Sequence, residues 1–243
     1  NYCAPLLMRD IDRAHRKIYG NSIDYSCEKK LFNKKMIELY PELDNEILVS
    51  GDPLKEAVKY AMAANYIDFA RIADLDEGAV DVVIKAARRA EPDLNTLASL
   101  RNKLKSAKSL CYLHDNCGEI VLDKLLISTI KRLFPQVKVT SVVRGLPIIN
   151  DVTADDARET GLDDIAEVVG NGTGVPGTYL KEVKTEILDL LSGSDVIISK
   201  GLGNLETLFG EGYNIFYLFT CKCGHIAKRF NAQPMSAVLY EEV

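Results

Sequence analysis

After Lys108 the sequence alternates short apolar runs with longer helical stretches, and this alternation restricts the fold more than any other feature. Chains that alternate in this way build a mainly parallel sheet with helices on both faces. The predicted strands are Leu110–Leu113, Val137–Val143, Ile165–Val169, Asp195–Ser199, Ile215–Phe219 and Ala237–Tyr240, and the longest predicted helices between them are Glu119–Phe134 and Thr178–Leu191. Residues 109–243 are therefore predicted to form a three-layer α/β/α domain.

The first 108 residues carry no convincing strand pattern, and we predict a separate helical region for residues 1–108. Arg13–Tyr40 is charged and permits a helix, which Pro41 should end. Glu77–Ala90 and Asn95–Lys108 are predicted as two further helices. The chain therefore divides into a helical cap and an α/β domain.

One more helix of this region has a polar interruption on its apolar face. It should begin with Asp52 as N-cap and Pro53 in the first helical position. Its apolar stripe continues at helical spacing through Asn65 and Asp68. Either these two side chains are satisfied by hydrogen bonds in the core, or they point into a cleft shared with another part of the protein.

Length, charge and apolar content limit the class of protein. A chain of 243 residues can bury a substantial core, and its net charge of −5 argues against a nucleic-acid or membrane surface. No apolar run approaches the ~20 residues that span a bilayer. Because charges such as Arg9 and Asp10 interrupt the N-terminus early, we predict no secretory signal, a cytoplasmic location and six reduced cysteines.

The first chemically suggestive stretch joins the first predicted strand to its helix. The strand ends at Leu113, and Asp115 and Asn116 follow in the turn. Ligands of open α/β sheets bind at the carboxyl ends of strands, and a carboxylate beside an amide oxygen suits a hard cation such as Mg²⁺ or Mn²⁺. The alternative is that Asp115 or Asn116 only caps the helix.

Two later junctions repeat the arrangement. After the second strand, Asn150 and Asp151 precede Thr153, a predicted helix cap with Asp156 in the capping-box position. Asp151 could therefore meet Asp115 across a metal. After the fourth strand, Lys200 stands beside glycines, where it could neutralise a phosphate; the alternative is an exposed lysine in a turn.

Other chemistries fit the sequence poorly. Gly172–Gly177 matches the spacing of a dinucleotide fingerprint. However, Pro176 would distort the turn, and Lys200 stands where the acid that binds the ribose is expected. A phosphate-side loop therefore fits this segment better. Cys221, Cys223 and His225 are too closely spaced for a zinc knuckle. His114, next to Asp115, is interpreted as a residue that lines or packs beside the site.

Taken together, the three junctions resemble the metal-dependent damage-control phosphatase family, long filed as a domain of unknown function and also called acidic-residue-methyltransferase-like. The matching segments are DNCGEIVLD at 115–123, RGLPIINDVTADDA at 144–157, SKGLGNLE at 199–206, AANYIDFA at 63–70 and NGTGVPGT at 171–178. They follow the family order along nearly the whole chain and are most similar to its compact prokaryotic branch. The resemblance implies a Rossmann-like α/β domain under a helical N-terminal part.

The resemblance also implies a reaction and a set of residues. The expected activity is hydrolysis of phosphomonoesters of small metabolites, such as sugar phosphates or damaged phosphometabolites, with a divalent metal (Mg, Mn, Co or Ni). The metal ligands would be Asp115, Asn116 and Asp151, while Lys200 would hold the phosphate. Asn65 and Asp68 would reach the pocket from the helical part.

The remaining predicted site residues are secondary to that set. Amides around Gly118 and Glu119 should neutralise charge in the transition state, and Asp156 or Glu206 should orient water or substrate hydroxyls. The other predicted substrate-binding residues are Arg144, Asn150, Thr153 and Gly201. Two alternatives stay open, a methyltransferase that uses S-adenosylmethionine and a non-catalytic phosphometabolite-binding module. The partner is expected to be a small phosphorylated metabolite rather than a nucleic acid or membrane, and the oligomeric state is left open.

Overall fold

The computed structural model describes residues 3–64, 77–222 and 224–243. Helices dominate its first part. Their bounds are α1 Ala4–Tyr19, α2 Ser26–Val49, α3 Pro53–Ala63, α4 Glu77–Arg89 and α5 Leu94–Ser106. As predicted, Asp52 caps α3, where its side chain accepts a hydrogen bond from the Lys55 amide at 3.1 Å.

From Ser109 onward, strands alternate with helices as the sequence predicts. The elements are β1 Ser109–Leu113, α6 Glu119–Leu133, β2 Lys138–Val143, α7 Ala154–Glu159, β3 Glu167–Gly170, α8 Thr185–Gly193, β4 Val196–Lys200, α9 Gly201–Leu208, β5 Ile215–Thr220, α10 Gly224–Arg229 and β6 Ala237–Glu242. They build a six-stranded sheet in the order β3-β2-β1-β4-β5-β6. Only the β5–β6 pair is antiparallel among these neighbours. The order reverses between β1 and β4, which makes that gap the topological switch point of a doubly wound sheet.

The two faces of the sheet are covered by different helices. Alternating residues of β1 divide between two apolar clusters, because successive strand side chains point to opposite faces. Leu110 and Tyr112 pack with α2 to α6, whereas Cys111 and Leu113 pack with α8, α9 and α10. Helices α2 to α5 thus share one apolar core with the sheet and α6. The division into separate units at residue 108 stays a prediction.

Three predicted boundaries are wrong for identifiable reasons. Pro41 does not end its helix, because α2 runs for 24 residues and the turns beyond the proline bury Leu43 and Ile47 against the core. The segment 178–184 is not helical, since the Lys184 amide donates to the Asn171 carbonyl and the chain folds back there. β3 begins at Glu167, because turns that use the Leu162 carbonyl take up the two preceding residues.

No helix in the described ranges combines the length and apolar character needed to cross a bilayer.

Candidate active site

The two loops that follow β1 and β2 are joined by backbone hydrogen bonds. The Val152 amide donates to the Asp115 carbonyl, and the Cys117 amide donates to the Asn150 carbonyl, both at 2.9 Å. Asn116 and Asp151 form an isolated antiparallel bridge between them. Two acidic junctions that are more than thirty residues apart in sequence therefore meet at the carboxyl edge of the sheet.

Neither Asp115 nor Asn116 is the cap of α6, so that alternative is wrong. The N-cap is Gly118, and it has no side-chain cap bond. The φ angle of Gly118 is +78°, and a Cβ there would lie 1.6 Å from the Phe32 ring. Only glycine fits this close approach of α2. Asp115 and Asn116 are consequently available for a role outside the helix.

The side chain of Asn116 links two carboxylates. Its Nδ2 atom donates to Asp115 Oδ2 at 2.7 Å and to Glu119 Oε1 at 2.9 Å. An amide nitrogen can only donate, so these bonds fix the orientation of the side chain. The amide oxygen Oδ1 is then the atom that Asn116 can offer to a cation.

Arg144 is the buried counter-ion of this edge. Its Nε atom donates to Asp151 Oδ2 at 2.6 Å, and its Nη2 atom lies 3.7 Å from Asp115 Oδ1. Nη1 donates to Asn204 Oδ1 at 3.3 Å. Within the described part of the chain, Nη2 has no hydrogen-bond partner. One guanidinium therefore faces two carboxylates and is itself incompletely hydrogen-bonded.

The charge balance shows in the proton affinities of the two carboxyls. Burial raises the pKa of Asp115 well above its usual value, Glu119 and Asp151 raise it further, and Arg144 and Lys222 act in the opposite direction. Burial also raises the pKa of Asp151, to about 6, although Arg144 opposes the change. Both groups would ionise more readily beside an additional cation.

A cavity of about 600 Å³ opens over these residues, and we call it the carboxylate cavity. Five predicted site residues line it: Asp115, Asn116, Asn150, Asp151 and Glu206. Its other walls include Met8 of α1, Pro176 and Lys222. The helical part thus contributes to the rim through α1.

Lys200 lies behind the cavity rather than on its wall. The side chain is fully buried, and its Nζ atom donates to Asp123 Oδ1 at 2.7 Å and to Glu119 Oε2 at 3.3 Å. The expected alternative of an exposed lysine in a turn is wrong. Its contact with a phosphate stays a prediction, since two carboxylates neutralise the ammonium in this arrangement.

Asp123 is the centre of that buried network. It accepts hydrogen bonds from Tyr112 Oη at 2.9 Å and Lys200 Nζ at 2.7 Å, and His114 Nδ1 lies 3.1 Å from its second oxygen. A carboxylate only accepts, so the proton of the imidazole is on Nδ1. Although burial by itself would raise it, Lys200 and His114 lower the pKa of the Asp123 carboxyl.

Other predicted residues have structural partners. The Gly118 amide donates to Asn33 Oδ1 at 2.7 Å, so a role in charge stabilisation stays a prediction. Thr153 and Asp156 form the predicted capping box of α7 and line a second cavity. Gly201 has a φ angle of +78°, and a Cβ there would come within 1.9 Å of Asp115 Oδ2.

Some predictions cannot be placed. Asn65, Asp68 and Cys223 lie outside the described residues. The proposed reach of Asn65 and Asp68 into the pocket therefore stays a prediction.

Sequence reasoning missed three residues of the site. Asp123 occurs in an apolar helix four positions after Glu119, and this spacing of two acids on one helical face was a usable signal. Asn204 bridges Arg144, Thr178 and the carbonyls of His114 and Lys200. Lys222 follows β5 and reaches the carboxylate cavity only through the fold, so no local pattern marks it.

The order of the strands and the site at their switch point define a Rossmann-like α/β protein with an acidic cavity. The family model described as "Damage-control phosphatase ARMT1-like domain" matches residues 5–238. The chain therefore belongs to the family of damage-control phosphatases.

Archaeal relatives agree with this assignment. A damage-control phosphatase from Archaeoglobus fulgidus is 34% identical over 223 residues, which are 89% of this chain and 76% of that protein. One from Pyrococcus horikoshii is 32% identical over 227 residues, covering 92% and 76%. A crystal structure of a DUF89 family protein from Pyrococcus horikoshii superposes with a TM-score of 0.80 at 29% identity, covering 97% of this chain and 81% of that one. A phosphatase-type function follows from these relationships.

Proposed function

We propose that this protein is a metal-dependent phosphatase that hydrolyses phosphomonoesters of small metabolites at the carboxylate cavity. The observation that carries the proposal is the meeting of Asp115, Asn116 and Asp151 on one cavity wall. Membership of the phosphatase family supports the reaction class, and the cavity supports its location.

The residues present suit a hard divalent cation. Two carboxylates and an amide oxygen are the donors that Mg²⁺ or Mn²⁺ prefers. Burial is the main cause of the raised pKa of both carboxyls, and a bound cation would favour their ionised forms. Among the described residues no three histidine, cysteine or carboxylate side chains are grouped as a metal site, so the proposed set consists of two carboxylates and the Asn116 amide. A cation held by these three residues would polarise the phosphoryl oxygens and activate water for attack.

The protein side chains would supply the remaining electrostatics. Arg144 holds Asp151 in place through its Nε atom and presents Nη2 towards Asp115. Lys222 is exposed at the rim and close enough to influence Asp115, so it is positioned to meet an incoming phosphate dianion. Positive groups aimed at the developing charge of a phosphoryl transition state are the main catalytic means in such sites.

The buried network would act through Asn116. Asp123 holds Lys200, Lys200 pairs with Glu119, and Glu119 accepts from Asn116 Nδ2. This chain of contacts keeps the amide oxygen of Asn116 directed away from Glu119. Lys200 is thereby assigned a positioning role, and a direct phosphate contact would require it to leave Asp123 or Glu119. Glu206, exposed at the rim, is the better placed of the two residues predicted to orient water, because Asp156 is committed to the α7 cap.

The test is release of inorganic phosphate from sugar phosphates and para-nitrophenyl phosphate with chelator, Mg²⁺, Mn²⁺, Co²⁺ or Ni²⁺. We expect release only with a divalent metal, and we expect Asp115→Asn to lower kcat/KM at least about a hundredfold while the protein stays folded. Asp81→Asn, an exposed carboxylate of α4 that lines neither cavity, is the matched control and should keep full activity.

Two results would reject the proposal. Release of phosphate that is insensitive to chelator would exclude the metal. No release from folded protein under any metal would favour the methyltransferase or the binding module, and stabilisation by S-adenosylmethionine without metal would select the methyltransferase.

A further inference from the structure

A second cavity, of about 780 Å³, lies beside the carboxylate cavity. Its walls are the α1–α2 connection at residues 21–25, the start of α2, the loop after β2 and helix α7. Ile149 lines both cavities, so the two spaces adjoin at this residue.

The backbone at the junction is strained. Ile149 has a φ angle of +46°, a conformation that β-branched residues rarely adopt. The Asp151 amide closes this turn by donating to the Ile148 carbonyl at 3.1 Å. The same turn that delivers Asp151 to the carboxylate cavity therefore places the Ile149 side chain between the two spaces. Strain of this kind persists where the surrounding structure requires one geometry, often at functional sites.

A buried ion pair lines the second cavity. Lys29 is buried at the wall of the second cavity, and its Nζ atom lies 2.7 Å from Asp156 Oδ2. Burial opposes the charge on Lys29, but Cys117 and the carboxylates of Asp156 and Asp151 outweigh it and raise the pKa of this ammonium. Because Ile149 lines both spaces, the second cavity is a neighbour of the carboxylate cavity and not a remote surface groove.

The lining describes the ligand that would fit. The charged side chains of the wall are three cations and four carboxylates, namely Arg16, Lys29, Lys30, Asp24, Asp155, Asp156 and Glu159. The cavity therefore has no excess of positive charge to bind a second anionic group of the substrate. Hydroxyl and amide side chains occupy much of the remaining wall, and Ser22 Oγ is buried with no hydrogen-bond partner in the described ranges. Hydroxyl groups of a ligand both donate and accept, and they match such a mixed lining.

We infer that the second cavity is the subsite for the leaving group of the substrate, and that Ile149 is the specificity-determining residue at its entrance. The inference rests on the proposed phosphatase function and adds two properties to it. The substrate extends past Ile149, and its distal end carries hydroxyls and no second phosphate or carboxylate.

The experiment blocks the second cavity without touching the carboxylate cavity. Ser26→Trp places a large side chain on its wall, and Cys27→Trp adds the same side chain at the next, exposed position, which does not line it. Phosphate release is measured from glycerol 3-phosphate, sorbitol 6-phosphate and a hexitol bisphosphate with the activating metal. These substrates differ in length and in distal charge.

We expect Ser26→Trp to raise KM for sorbitol 6-phosphate about tenfold or more, and to leave glycerol 3-phosphate unchanged. Cys27→Trp should change neither, and the wild type should turn over the bisphosphate less efficiently than sorbitol 6-phosphate. Asp155→Trp, which fills the cavity from α7, should reproduce the effect if Ser26→Trp unfolds the protein.

The outcomes separate the two proposals. Equal effects of the blocking variants on both monophosphates, or no effect on either, would overturn the subsite while the phosphatase activity stands. A preference for the bisphosphate would overturn the charge argument for the subsite. If the wild type releases no phosphate from any substrate, the proposed function fails and the subsite fails with it.

Discussion

Asp115 and Asp123 are both buried aspartates near the carboxyl edge of the sheet, and their environments differ in one respect. Asp123 receives Lys200, Tyr112 and His114, and its pKa is lowered. Burial and nearby carboxylates instead raise the pKa of Asp115 well above its usual value. A buried charge is stable only when it is paired, and Lys200 supplies that pair for Asp123, whereas for Asp115 we propose a bound cation. The comparison sets a carboxylate in a structural ion pair beside a proposed metal ligand.

Removal of the Lys200 ammonium is the strongest test of this difference between Asp123 and Asp115. Lys200→Met leaves Asp123 and Glu119 buried without their ammonium, and we expect it to lower the free energy of unfolding by about 3–5 kcal/mol. The measurement is urea unfolding of the metal-free protein. Lys222→Met is the matched control, because Lys222 is exposed and its loss should change stability little while it weakens phosphate turnover. Equal stability of the two variants would contradict the pairing of Asp123.

Metal binding should have the next largest effect on stability, and it should act only through the group around Asp115. If Mg²⁺ or Mn²⁺ binds the folded state alone, it should stabilise the protein by about 2.7 kcal/mol when the free metal is at about 100 times its dissociation constant. Thermal unfolding with and without metal measures this shift. Asp115→Asn should abolish it, whereas Asp81→Asn, at an exposed position on α4, should retain it. A shift that survives in Asp115→Asn would place the cation elsewhere.

The smallest expected effect is on the pH dependence of stability, which should have opposite signs for Asp151 and Asp123. The folded pKa of Asp151 is about 6, above its ordinary value of 3.8, so the metal-free folded state holds this proton more tightly than the unfolded chain. The contribution of this proton to stability is therefore present below pH 3.8 and is lost as pH rises through about 6. Asp123 has a lowered pKa, so its contribution is present above the unfolded value and is lost as pH falls.

Unfolding of metal-free wild type and Asp151→Asn between about pH 4 and pH 7 tests this sign. The stability of the wild type relative to the variant should decline as pH rises across the range. A relative stability that increases with pH would show that Arg144 outweighs burial at Asp151.

Much of the fold was predictable because its signals are local. The apolar runs after Lys108 predicted all six strands of the sheet to within two residues at their starts. Capping chemistry placed the start of α3 at Asp52 and that of α7 at Thr153. The errors arose where distant contacts overrode local preference, as in α2, which continues past Pro41 because the following turns bury apolar side chains.

The site was predictable in part for the same reason. Strands that run parallel end at a common edge, so acids placed after β1 and β2 had to come close together once the sheet was recognised. Sequence alone therefore determined the α/β architecture and the acidic edge. Only the tertiary structure decided that Lys200 pairs with Asp123, that Lys222 reaches the cavity rim, and that Ile149 stands between two cavities. These contacts join residues far apart in the chain, and which of them form depends on how helices and strands pack, which no local pattern encodes.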